Sequence, residues 1–140
     1  TDDGRKTAES FAQEGADIIL PVAGPVGLGS AAYCKETGSC TIVGVDADFY
    51  LSAPEYKEVI FTSILKKVDV AIFEVIKDAT EGNFTGGSVD YTLANNGLDL
   101  APFHDFDSQV SAELKAELEQ LKKDVISGAI TVDGVLGITQ

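Results

Sequence analysis

An open parallel α/β sheet with helices on both faces is the fold class the sequence predicts, and three observations carry it. Short aliphatic and β-branched runs recur around Ile18-Ile19-Leu20, Thr41-Ile42-Val43 and Val59-Ile60-Phe61. They are nearly continuous rather than alternating, as strands covered on both sides require. The first and third runs are each followed by a turn and a helical apolar pattern, the arrangement of βα units. With 140 residues, 44% hydrophobic and 24% charged, the chain has the size and composition of one cored domain.

Residues 5–14 place Ala8, Phe11 and Ala12 at helical spacing, with Gly15 as a stop. Residues 16–23 form a run of strand length, and the Pro21 within it favours a position near a strand end or bulge. The glycine-rich turn from Gly24 to Gly29 leads into a helix through Ser30, Ala31, Ala32 and Tyr33. Residues 41–45 make a second strand that ends on Asp46-Ala47-Asp48, and residues 59–65 a third that ends at Lys66. Residues 68–80 carry Val68, Ile72, Val75 and Ile76 at helical spacing. Residues 88–93 read as a fourth strand, 98–101 as a short antiparallel return after the Asn95-Asn96-Gly97 turn, and 111–126 as an amphipathic helix. Ile18, Ile19, Ile42, Val43, Ile60 and Ile64 are the expected sheet core.

Ten basic residues against 23 acidic ones give a net charge of −13, so the average surface repels phosphate backbones and anionic headgroups. Nucleic acid is excluded as a partner on that ground. No apolar run reaches the ~20 residues that span a bilayer, and the opening residues hold no acylatable cysteine, so a lipid anchor is expected to lie outside this chain. The sequence contains no methionine and opens on a helix with no strand before it, from which a longer parent and a missing first strand are expected. Cys34 and Cys40 flank Lys35-Glu36-Thr37-Gly38-Ser39. They close a small disulfide loop in an oxidising compartment and stay as two thiols otherwise, since spacing alone does not decide whether the Cβ vectors meet.

In an open parallel sheet, ligands bind where strands end at their carboxyl edge. That rule selects Val22, Ala23 and Gly24, Asp46 with Asp48, and Lys66. An acid, a base and a flexible glycine backbone around one cleft suit a polyhydroxyl ligand, because a carboxylate accepts from vicinal hydroxyls while an ammonium donates back. Gly24 to Gly29 also reads as a plain helix-starting turn, and it lacks the lysine of a triphosphate loop. Asp46-Ala47-Asp48 as a metal pair has no third ligand beside it, so neither metal nor cofactor is expected. His104 has no serine or cysteine nucleophile motif nearby and reads as a surface histidine, with Asp107 or Ser108 capping the last helix. A doubly wound enzyme acting on a sugar or nucleotide, the competing function, needs a nucleophile–base or metal set that the strand ends do not supply. A free-standing receiver-like signalling domain needs the complete sheet.

Four blocks carry a family resemblance: residues 15–24 (GADIILPVAG), 44–48 (GVDAD), 62–71 (TSILKKVDVA) and 100–106 (LAPFHDF). In that order they resemble the basic membrane protein family, lipoproteins similar to purine nucleoside receptors. The resemblance implies the carboxy-terminal lobe, in residues 1–140, of a two-lobed type I periplasmic-binding-protein fold. It implies a solute-binding component of an ABC importer that binds a nucleoside and catalyses nothing. The implied partners are the ABC permease and the amino-terminal lobe of the same receptor. The implied location is the outer face of the cell membrane or the periplasm. On the same basis Asp46 and Lys66 would hydrogen-bond the ribose hydroxyls, and Val22, Ala23 and Gly24 would line the wall against the base.

Overall fold

A computed structural model describes residues 1–131 of the chain. Its elements are helix α1 (Asp2–Gln13), strand β1 (Ile18–Ile19), helix α2 (Gly27–Thr37), strand β2 (Thr41–Asp46), the one-turn helix α3 (Phe49–Ser52), strand β3 (Ile60–Lys66), helix α4 (Val68–Glu81), strand β4 (Leu98–Leu100) and helix α5 (Ala112–Ser127). The strands form one sheet in the order β1-β2-β3-β4. The first three are parallel, and β4 returns antiparallel along β3, with Ile64 opposite Leu100. The α/β class and the parallel core are therefore as the sequence predicts.

One side of the sheet holds the core. Ile19, Ile42 and Ile60 pack there with Ala31 and Cys34 of α2, Ala8 of α1, and Cys40 and Val59. Helices α1 and α2 cross closely enough that a Cβ at Gly4 or Gly29 would collide with the other segment's main chain. The fully buried approach is sealed by the Ser30 hydroxyl donating to the Gly4 carbonyl at 3.0 Å. Small residues make this crossing possible, and Ala8 and Ala31 fill what space is left.

The Cys34–Cys40 disulfide ties the last turn of α2 to the start of β2, across a turn that Gly38 takes at a φ of 64°. Both cysteines are buried.

The opposite side of the sheet is only partly covered. Ile64 lies on it, because Ser63 beside it faces the core side, and α5 stands over it. Leu118, Leu121 and Val125 line an apolar cleft of about 520 Å³ with Ile64, Leu100 and Phe103. Two residues expected in the core are thus corrected: Ile18 is 52% and Ile64 43% exposed, while Val43 is half-buried. Strict alternation sends Ile18 away from the packed face that Ile19 occupies.

Two further expectations change. The first run forms a strand only at Ile18–Ile19, ending before Pro21, which cannot donate to a ladder. Residues 88–93 form no strand. The Asn95 side chain accepts from the Thr92 amide and donates to the Asp90 carbonyl, both at 2.7 Å, drawing the backbone into a local turn that competes with sheet pairing. The last helix is capped by Ser111, whose hydroxyl accepts from the Leu114 amide, rather than by Asp107 or Ser108. Helix α4 keeps its apolar stripe outward, with Val68, Ile72, Phe73, Val75 and Ile76 all exposed.

Closing so short a loop removes unfolded-state entropy worth about 2 kcal/mol in the chain-entropy account. Replacing both Cys34 and Cys40 with serine is expected to lower the urea unfolding free energy by roughly that amount. An unchanged midpoint and slope would show that the bridge constrains nothing.

Candidate functional site

The parallel pairing of β2 with β3 determines what stands at the carboxyl edge. A register shift lies between Ile42 and Val43, and from there Val43 opposes Thr62, Gly44 opposes Ser63 and Asp46 opposes Leu65. Asp46 and Lys66 therefore leave the sheet as neighbours, with Lys66 Nζ 3.5 Å from Asp46 Oδ1. Their side chains are 58% and 65% exposed, so the pair faces water and has hydrogen-bonding capacity to spare. Both line an open cleft of about 550 Å³, with Ala47, Asp48 and Lys67.

Why the ammonium of Lys66 rather than that of Lys67 has donors to spare at this cleft follows from Asp99. Asp99 accepts from Lys67 Nζ at 3.0 Å and from Lys122 Nζ at 2.7 Å, and the Leu100 amide also donates to it. Lys67 additionally donates to the Asn96 side-chain oxygen. One carboxylate thus joins the start of α4, strand β4 and helix α5, and it consumes the second lysine of the pair.

Gly24 lines a neighbouring cavity of about 240 Å³ together with Asp46, Ala47, Pro21 and Phe49. Asp46 is common to both hollows. Val22 and Ala23 precede Gly24 on the exposed turn, where the Ala23 amide donates back to the Pro21 carbonyl at 2.8 Å. The structure thus brings Asp46, Lys66 and Gly24 to one edge of the sheet, and places Val22 and Ala23 on its rim.

The sequence gives no hint of what lies beneath Asp46. Asp48 Oδ2 is 2.8 Å from His104 Nε2, and the two side chains are only 14% and 17% exposed. His104 also stacks on Tyr50, with ring centroids 4.0 Å apart and planes 8° from parallel. The Tyr50 hydroxyl donates to Asp105 Oδ1 at 3.1 Å, and this carboxylate neighbour raises the phenol above its ordinary range. His104 is therefore not a free surface histidine. Fifty-six positions separate it from Asp48, and only the return of the chain along β3 joins them.

With this geometry in place, the comparisons decide the family. The family model described as "ABC transporter substrate-binding protein PnrA-like" matches residues 1–134. The chain belongs to the PnrA-like ABC transporter substrate-binding proteins. It is 32% identical to basic membrane protein D of Borreliella burgdorferi, over 92% of this chain and 38% of that protein. It is 29% identical to the CD4+ T-cell-stimulating antigen of Listeria monocytogenes, over 94% of this chain and 40% of that protein. The crystal structure of an ABC transporter solute-binding protein from Aeropyrum pernix superposes with a TM-score of 0.78 at 28% identity, over 91% of this chain and 43% of that one. The chain spans about two fifths of the length of these relatives.

The Asp99 junction has a pH signature. Hydrogen bonds from Lys122 first, and then from Lys67 and the Leu100 amide, bring its carboxyl down from 3.8 to about 2. A carboxyl that is more acidic when folded stabilises the fold above its unfolded value and loses that contribution as pH falls through the folded value. Asp99→Asn is expected to cost roughly 2 kcal/mol at pH 7, with the gap from the parent narrowing between about pH 4 and pH 2. A constant gap across that window, read from urea midpoints, would contradict the assignment.

Proposed function

We propose that this chain is the carboxy-terminal lobe of an extracellular, lipid-anchored solute receptor that delivers a nucleoside to an ABC permease. The observation that carries the reading is the Asp46–Lys66 pair, water-facing and 3.5 Å apart at the carboxyl ends of two adjacent parallel strands. In this reading the Asp46 carboxylate accepts from the two vicinal ribose hydroxyls. Lys66 donates to a ribose oxygen from the other side, and Val22, Ala23 and Gly24 border the base. The family assignment and the basic membrane protein relatives support a transport role.

The exposed stripe of α4 supports a second lobe. Val68, Ile72, Phe73 and Ile76 are each more than half exposed, and a surface of this kind marks an interface. Closure of that lobe over the ligand would bury the ribose and shift the open–closed balance by the ligand's differential affinity. A disulfide between Cys34 and Cys40 suits an oxidising compartment outside the cell.

A buried hydroxyl that loses its charged partner is left unpaired at a cost of about 1–3 kcal/mol, or roughly 10- to 100-fold in affinity. Asp46→Ala and Lys66→Ala in the full-length receptor are each expected to weaken nucleoside binding by that factor. The isolated lobe, which covers one side of the ligand only, is expected to bind far more weakly than the parent. Isothermal titration with adenosine, guanosine, inosine and uridine reads both effects. Unchanged affinity in the two variants would overturn the site, and tight binding by the isolated lobe would overturn the two-lobed clamp.

A further inference from the structure

We propose that His104 is a positioning residue for ligand binding. Through its hydrogen bond to Asp48, it holds Asp46 in a strained turn with the carboxylate presented to the cleft. The inference rests on the reading of Asp46 as a ligand contact.

Asp46 sits at a φ of 70°, in the left-handed region that a residue with a side chain rarely occupies. The Ala47 amide donates to the Val45 carbonyl at 2.9 Å, closing a three-residue γ-turn with Asp46 at its centre. A γ-turn with positive φ at its central residue is rare and strained. Such a conformation persists only where the surroundings over-determine it. The sequence places an aspartate there instead of glycine, which would remove the strain but also the carboxylate.

The restraint is found in the four residues that follow. Asp48 divides its carboxylate: Oδ1 accepts from the Tyr50 amide at 3.1 Å and starts α3, while Oδ2 meets His104 Nε2 at 2.8 Å. The Phe49 amide donates to the fully buried Ser63 hydroxyl at 3.0 Å. Tyr50 lies flat on the His104 ring and donates to Asp105. The backbone leaving the turn is thus fixed to β3 at one point and to residues 104–105 at two.

His104 itself takes a φ of 46°, a second left-handed residue. The two segments that carry these strained positions, far apart in sequence, are joined by the 2.8 Å hydrogen bond between Asp48 and His104, whose side chains are mostly withdrawn from water. Asp46, two residues away, stays open to the cleft. This division separates the roles: Asp46 is placed to touch ligand, and His104 acts on it only through Asp48.

The test uses the full-length receptor and three substitutions at one position. Glutamine can offer an amide nitrogen where the imidazole Nε2 stood, whereas asparagine and alanine fall short of Asp48. His104→Ala and His104→Asn are expected to weaken adenosine binding by about 10-fold, because the strained turn is then free to relax. His104→Gln is expected to keep affinity near that of the parent. Titration calorimetry separates this from misfolding, because an unfolded fraction lowers the measured stoichiometry and leaves the dissociation constant of the folded fraction unchanged. Asp46→Ala is run alongside. If Asp46→Ala weakens binding while His104→Asn matches the parent, the site stands and the positioning role is overturned. It is overturned equally if His104→Gln binds as weakly as His104→Ala. If Asp46→Ala leaves affinity unchanged, the underlying site reading fails first and this inference with it.

Discussion

Strands β2 and β3 run parallel with Ile42 opposite Ile60, both fully buried, and after one irregularity Gly44 opposes Ser63 and Asp46 opposes Leu65. The chemistry at the carboxyl edge depends on this register. A slip of one residue would turn the set that faces α2 toward the half-open side and would separate Asp46 from Lys66. Gly44 is what permits the close fit, since a Cβ there would collide with Ser63 and Phe49. The same absence of a side chain lets the Ser63 hydroxyl reach the Phe49 amide, so packing inside the sheet and geometry at its edge share one cause.

Buried polar groups on β3 extend that control to both flanking loops. Ser63 holds the segment after β2, and Thr62 donates to the Ala101 carbonyl at 2.7 Å, anchoring the segment that carries His104. The Ala101 amide donates in turn to the Ser63 carbonyl. A buried hydroxyl without a partner is costly, so these bonds specify loop positions as well as adding modest stability. The two loops meet in the Asp48–His104 contact, and Asp99 gathers Lys67 and Lys122 on the other side of β3. Lys66 is left to the cleft because its neighbour is already engaged.

Much of this was legible in the sequence, for reasons that are local. The runs at residues 41–45 and 59–65 are β-branched and continuous, and they became β2 and β3 almost as bounded. The helical spacing at residues 68–80 became α4, which Gly82 ends in the left-handed conformation that favours glycine. Asp46 and Lys66 came from the strand-end rule, which needs only the order of the elements. Residues 88–93 misled because their composition suits a strand, while the Asn95 side chain diverts the backbone. Exposure of Ile18 and Ile64 could not be read, since it depends on which face the helices cover. The Asp48–His104 pair is a tertiary contact without a spacing signature, and a positive φ at an aspartate leaves no trace in composition.

In the proposed receptor, the β2 and β3 ends present Asp46 and Lys66 to the ribose of a nucleoside held between two lobes. A crystal structure of the full-length protein grown with adenosine tests it most directly. The two ribose hydroxyls are expected within hydrogen-bonding distance, about 2.7–3.2 Å, of the Asp46 carboxylate and Lys66 Nζ. Asp46 is expected to keep its positive φ there, and Asp48 its contact with His104. Adenosine lodged elsewhere, as in the apolar cleft between β4 and α5, with Asp46 and Lys66 still facing solvent, would contradict it.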